Sequence, residues 1–141
     1  MKANELRIGN IVDRTCRRGD VYLPANYPMK VYEITSFECL LYDIKKHPSQ
    51  LKTMPVEGLR DVFGIPLTEE WLLKFGFLSD GDGFLKDIKH NELFIHLNHF
   101  NEVIFQIGYK DNWSMNMSIR YVHQLQNLYF ALTGEELSVN E

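Results

Sequence analysis

Ile119-Arg120-Tyr121-Val122-His123-Gln124-Leu125-Gln126-Asn127-Leu128-Tyr129-Phe130-Ala131-Leu132-Thr133-Gly134 decides how the rest of the chain is read. Tyr121, Leu125, Leu128 and Leu132 recur at steps of four, three and four, with Val122 and Tyr129 beside them. That spacing predicts a helix with a broad apolar stripe on one side. Burying five or six such side chains yields on the order of 1.5–3 kcal/mol each, whereas fixing each backbone residue costs roughly 1–2 kcal/mol. Such a helix cannot order alone, so the stripe is expected to lie on a sheet formed upstream. The remaining face carries Arg120, Gln124 and Asn127, flanked by His123 and Gln126, and offers amides with few charges. Arg120, His123, Gln124 and Asn127 are the expected partner-binding residues.

The floor for this helix is legible just upstream. Residues 84–87, Leu93-Phe94-Ile95-His96-Leu97, Val103-Ile104-Phe105-Gln106-Ile107-Gly108-Tyr109 and Trp113-Ser114-Met115-Asn116-Met117 alternate as strands with one covered face. Turn residues at Asp82-Gly83, 98–101 and 110–112 join them into a meander. Ahead of the meander, Thr68 is placed to cap a short helix that Glu69 and Glu70 favour at its positive end. Leu67 can staple onto Leu72, and Gly76 can stop the helix.

Gly64-Ile65-Pro66 reads as a joint, since Pro66 disfavours helix at Ile65 and the periodicity changes from two to helical after it. Before the joint, residues 6–12 read as a strand bent at Gly9-Asn10. Residues 13–28, rich in arginine, proline, glycine and asparagine, read as an exposed, mobile loop. Residues 30–34 and 37–44 read as a hairpin through Thr35-Ser36, with Leu40, Tyr42 and Ile44 sharing a face, and 50–56 as an edge strand. The expected fold class is α+β: an SH3-like or curled antiparallel β portion over 1–64, then a short central helix and an antiparallel β-meander packed by a C-terminal helix over 65–141.

At 141 residues, 45% hydrophobic and 13% aromatic, the chain can bury a core as one domain or two small lobes. A formal net charge of −4 gives no general attraction to nucleic acid, so binding of that kind would need a local basic patch. Arg14, Arg17 and Arg18 with Lys45 and Lys46, interleaved with Tyr22, Tyr27 and Tyr32, form the one basic concentration, and are the candidate phosphate- and base-contacting residues. Cys16 and Cys39 are too sparse for a disulfide framework and read as reduced thiols. No apolar run approaches the ~20 residues that span a bilayer, and the amino terminus lacks an apolar signal core, so a cytoplasmic protein that meets no membrane is expected.

Motifs with chemical content fail on inspection. His90, His96 and His99 lack the convergence that a structural zinc requires, since a strand sends residues three apart to opposite faces. Asp80-Gly81-Asp82-Gly83 opens like a calcium loop, but Phe84 and Asn91 stand where oxygen ligands are needed, and a hairpin turn accounts for it. Cys39 has no neighbouring cation or helix start to activate it and reads as a packed thiol. Adjacent Glu69 and Glu70 point about 100° apart on a helix, and Gly81 and Gly83 precede a strand, not a phosphate-binding helix. No catalytic residue, cofactor or metal is expected.

Tyr121-Val122-His123-Gln124-Leu125-Gln126-Asn127-Leu128-Tyr129-Phe130-Ala131-Leu132-Thr133-Gly134-Glu135-Glu136-Leu137 resembles the closing signature of a family of small proteins encoded by bacteriophages and prophages of gut bacteria. Leu6-Arg7-Ile8-Gly9-Asn10 and Ile65-Pro66-Leu67-Thr68-Glu69-Glu70-Trp71-Leu72 agree with it, while residues 13–28 are not covered. The resemblance implies an origin in a mobile element and an accessory role inside the bacterial host cell, and transfers no catalytic residue. The leading expectation is therefore a non-enzymatic interaction module that binds a host or phage protein, with a homodimer as one form. A nucleic-acid-binding accessory protein is the alternative, and an enzyme with a site between the two halves is the third reading.

Overall fold

The computed structural model describes residues 2–18, 21–45, 56–58, 62–81, 83–88, 91–97, 103–109 and 112–140, with the backbone alone for several strand segments. The fold is α+β, with two antiparallel sheets, a short helix and a longer C-terminal helix. The chain divides into two compact units, Met1–Ile65 and Pro66–Glu141.

In the first unit, five strands run β1 (Ile11–Arg18), β2 (Val21–Ile34), β3 (Glu38–Asp43), β4 (Val56–Gly58) and β5 (Val62–Phe63). Their order is β4-β3-β2-β1-β5, so the last strand returns beside the first, the connectivity of an SH3-like curled sheet. Residues 13–28 are not a loop: β1 and the first half of β2 pair as a hairpin from Ile11↔Lys30 to Arg18↔Val21. Pro24 and Pro28 misled the reading because β3 pairs only from Met29 onward, so at both prolines a missing N–H leaves no ladder bond unmade on that side.

Two irregularities curl β2. Between the pairs Asp13↔Pro28 and Thr15↔Pro24, β2 carries Ala25, Asn26 and Tyr27 against the single Arg14. Asn26 takes a φ of 54° there. The buried Asp13 carboxylate fastens the bulge, accepting hydrogen bonds from the backbone N–H groups of Asn26 (2.7 Å), Tyr27 (3.0 Å) and Arg14 (2.8 Å). The second bulge sets Tyr32 between Val31↔Leu41 and Glu33↔Leu40. The expected bend at Gly9-Asn10 is present, with Gly9 at φ 94°, but β1 starts only at Ile11. Only a residue without Cβ takes this φ easily. Asn10, fully buried, closes the turn by accepting from the Arg7 N–H at 2.7 Å.

Leu6, Val12, Met29, Val31, Cys39, Leu41 and Val62 form the core of this unit. Leu40, Tyr42 and Ile44 share the half-buried face of this strand region, and Cys39 is the packed thiol expected from the sequence. Cys39 and Leu41 point in and Leu40 and Tyr42 are half-buried, because Leu41 pairs with the buried Val31, and one step of register exchanges the faces of a strand. The expected strand at 50–56 lies outside the described residues except for Val56.

The second unit is a meander of β6 (Leu78–Asp80), β7 (Gly83–Ile88), β8 (Asn91–Leu97), β9 (Val103–Tyr109) and β10 (Asn112–Ile119), in the order β10-β9-β8-β7-β6. The expected strands are all present, and β6 is additional. Helices α1 (Glu69–Lys74) and α2 (Val122–Thr133) start from a shared clasp: Pro66 bridges Tyr121, and the Leu67 N–H donates to the Arg120 carbonyl at 2.9 Å. Leu67, Trp71, Leu72, Phe75 and Phe77 around α1 are buried, as are Phe84, Ile88, Leu93 and Ile95 from the sheet and Val122, Leu125 and Tyr129 from α2. Thr68 has the extended backbone of a cap, but its side chain makes no capping hydrogen bond. The chain after α2 folds back over the unit: Leu137 is buried, and the Asn140 N–H donates to the Lys74 carbonyl at 2.8 Å.

Candidate functional site

The face that α2 buries is not the one with the most apolar letters. Val122, Leu125 and Tyr129 are inside together with His123, Gln126 and Thr133, whereas Leu128 is half-buried and Tyr121 and Leu132 are 38% and 40% exposed. At 100° per residue the helix is turned about a quarter turn from the orientation that would bury the Tyr121–Leu132 stripe. Specific polar partners make this orientation possible. The Gln126 Nε2 donates to the Leu137 carbonyl at 3.2 Å, and the Thr133 hydroxyl donates to the Tyr129 carbonyl at 2.8 Å and accepts from the Glu135 N–H at 3.0 Å. His123 lies against the Tyr121 ring, with centroids 5.7 Å apart and planes 13° apart.

The helix ends follow from the sequence. Gln124 reaches back as in a capping box, its Oε1 accepting from the Arg120 N–H at 2.9 Å and the Tyr121 N–H at 3.2 Å. Gly134 closes the C-terminus at φ 75°, its N–H donating to the Phe130 carbonyl at 2.8 Å, a left-handed position that disfavours a Cβ.

The four expected partner-binding residues consequently separate. Arg120 is exposed and Asn127 half-buried on the outward side. His123 is buried at 3% exposure and cannot meet a partner without the helix moving. Gln124 is exposed, but its carbonyl oxygen serves the helix end. What sequence reasoning missed is the outward apolar edge formed by Tyr121, Leu128, Ala131 and Leu132. The signal was present in Gln126 and Thr133, which interrupt the apolar residues on the side that is buried.

The basic candidates do not gather into a described patch. Arg14 is half-buried on β1 opposite Val62, and Lys45 is exposed after β3. Arg17 and Arg18 lie on β1 with only their backbone described, and Lys46 is outside the described residues. Acids stand close by. The Tyr27 hydroxyl donates to the Asp43 carboxylate at 2.5 Å, a bond that raises the phenol above its ordinary pKa, with burial and the Asp43 charge adding to the rise and Arg14 opposing it. Tyr27 and Tyr32 are exposed, Tyr32 meeting Tyr42 edge to face at 6.3 Å.

Two further groups have shifted protonation. Lys86 donates to the Phe75 carbonyl at 2.8 Å beside the Phe77 ring, and burial lowers its pKa. Tyr129 is raised by burial and then by the charge of Glu135. Among the described residues, no three His, Cys, Asp or Glu side chains are grouped to hold a metal ion, and no helix is long and apolar enough to cross a membrane. Of the histidines in the metal expectation, His90 and His99 lie outside the described residues, and only the backbone of His96 is described. Comparison with family models, curated proteins and solved structures yields no match to this chain.

Proposed function

We propose that this chain is a non-enzymatic accessory protein of a phage or prophage, acting in the cytoplasm of the bacterial host by binding a protein through the outward side of α2. One observation supports the binding surface above all. The helix turns polar Gln126 and Thr133 inward and leaves the apolar edge of Tyr121, Leu128 and Leu132 facing out. A rim of Arg120 and Asn127 around apolar anchors matches the anatomy of a protein interface. The mobile-element origin rests on the resemblance of the closing signature.

Affinity purification from infected cells, comparing the natural chain with Leu128→Asp and Leu132→Asp, tests the reading. Both variants are expected to keep the far-ultraviolet dichroism of the parent and to lose the captured partner. Undiminished capture by folded variants would remove α2 from the proposal. Nucleic-acid binding through Arg14, Arg17, Arg18, Lys45 and Lys46 is the second reading, motivated by exposed Tyr27 and Tyr32 in the same unit. It predicts oligonucleotide binding that weakens steeply with salt. The acids Asp13 and Asp43 close to Arg14 and Tyr27 disfavour it.

A further inference from the structure

We propose that residues 135–140 are an autoinhibitory strap: they fill, from within the chain, a seat that in its open state takes an extended peptide of a partner protein bearing one leucine-sized side chain. The seat reaches the buried Gln126 on the inward side of α2, apart from the outward edge described above. After Gly134 turns the chain at φ 75°, the Glu135 N–H donates to the Thr133 hydroxyl at 3.0 Å and fixes the start of the segment. Two residues on, the Leu137 carbonyl accepts from the Gln126 amide at 3.2 Å. At the far end the Asn140 N–H donates to the Lys74 carbonyl at 2.8 Å. All three contacts are made to the backbone of the segment. Of its residues only Leu137 is buried, at 3% exposure; Val139 is half-buried, and Glu135, Glu136, Ser138 and Asn140 are exposed.

Backbone hydrogen bonds with an apolar side chain in a pocket are how docking sites recognise extended peptides. Nothing in the chemistry of the seat requires the peptide to be joined to α2. It requires a leucine-like side chain, a carbonyl on the same residue for Gln126, and an N–H three residues onward for Lys74. Lys74 is the last residue of α1, so its carbonyl has no partner within the helix. Gly76 leaves room at that end: a Cβ there would come within 2.5 Å of the Asn140 side-chain nitrogen and 3.2 Å of Lys86 Nζ. The hold is also light. A chain end kept down past its turn by one leucine and two hydrogen bonds belongs to the part of a fold that opens well below the free energy of global unfolding. Lifting it withdraws an acceptor from the buried Gln126 amide, which raises the demand of the open seat for another carbonyl. While the strap is down, its tether keeps it at an effective concentration on the order of millimolar, so a free peptide competes poorly until the strap is weakened.

Native-state hydrogen exchange on the full chain, together with NMR titration of a synthetic peptide matching residues 134–141, tests this. The Asn140 amide should exchange at least roughly a hundredfold faster than that of Leu125. In full-length Leu137→Ser, which weakens the strap while leaving it attached, the peptide should shift the Gln126 side-chain amide resonances and bind at least about tenfold more tightly than to the natural chain. The same peptide carrying Leu137→Ala should not bind. Should Leu137→Ser not fold, Asn140→Pro, which deletes the N–H to Lys74 at an exposed position, takes its place in the titration. Exchange of Asn140 only together with Leu125, or a folded strap variant that takes up no peptide at about 5 mM, would overturn the proposal. So would protection of residues 135–140 that grows with protein concentration, which would give the seat to the strap of a second copy.

Discussion

The two helices of the second unit leave the same clasp, yet α1 has a single apolar side to bury while α2 lies a quarter turn from the face expected for it. In α1 the buried side is marked by Trp71 and Leu72, with Leu67, Phe75 and Phe77 just outside the helix, and only Leu73 stands exposed against them. There is one apolar side to choose. In α2, apolar residues occur nearly all the way round, so their count no longer selects a face. The selection falls to residues that can be buried only in one place: Gln126, which needs the Leu137 carbonyl, and Thr133, which bridges Tyr129 and Glu135. Burying an amide without a partner costs more than moving one leucine to a half-exposed position returns. The comparison teaches that a polar residue within a helical stripe can be a better orientation marker than another leucine.

The largest effects should separate truly buried residues from those that only look buried in sequence. Trp71→Ala in α1 and Leu125→Ala in α2 are each expected to cost about 3–5 and 2–5 kcal/mol respectively, read from denaturant midpoints. Leu132→Ala should fall within about 0.5 kcal/mol. A cost for Leu132→Ala that rivals Leu125→Ala in the monomer would mean that α2 rests on the stripe after all. Next in size, Gln126→Ala removes the donor to the Leu137 carbonyl and should cost about 1–3 kcal/mol, with faster amide exchange through residues 137–140. Gln124→Ala acts on the helix end rather than on its orientation, and about 1 kcal/mol is expected, with fraying confined to the first turn of α2.

The smallest effect is one of pH, and it has opposite signs beside the two helices. Tyr129 on α2 has its phenol pKa raised by burial, so its contribution is whole below about pH 10 and is lost as pH climbs through the folded value. Lys86 against the end of α1 has its pKa lowered by burial, so its contribution is present above the unfolded value and lost as pH falls through the folded one. Tyr129→Phe should therefore flatten the alkaline decline in thermal midpoint, and Lys86→Met should steepen it by removing the compensating gain. Equal slopes for parent and both variants between pH 9 and 11, roughly the range in which these groups titrate, would show that neither group is shifted.

Element type was legible because it depends on local pattern. Alternation over 93–97 and 103–109 makes strands whatever lies next to them, and Gly76 and Gly134 end helices with backbone angles that other residues resist. The sequence by itself therefore determined two antiparallel β portions, a short helix and a closing helix laid on the second sheet. Only the tertiary structure decided which way each element faced. Cys39 and Leu41 turn inward because of the strand beside them, residues 13–28 pair as a hairpin because Asp13 holds its bulge, and α2 rolls because a carbonyl eleven residues onward, at Leu137, receives Gln126. Orientation depends on partners distant along the chain, and period alone carries no record of them.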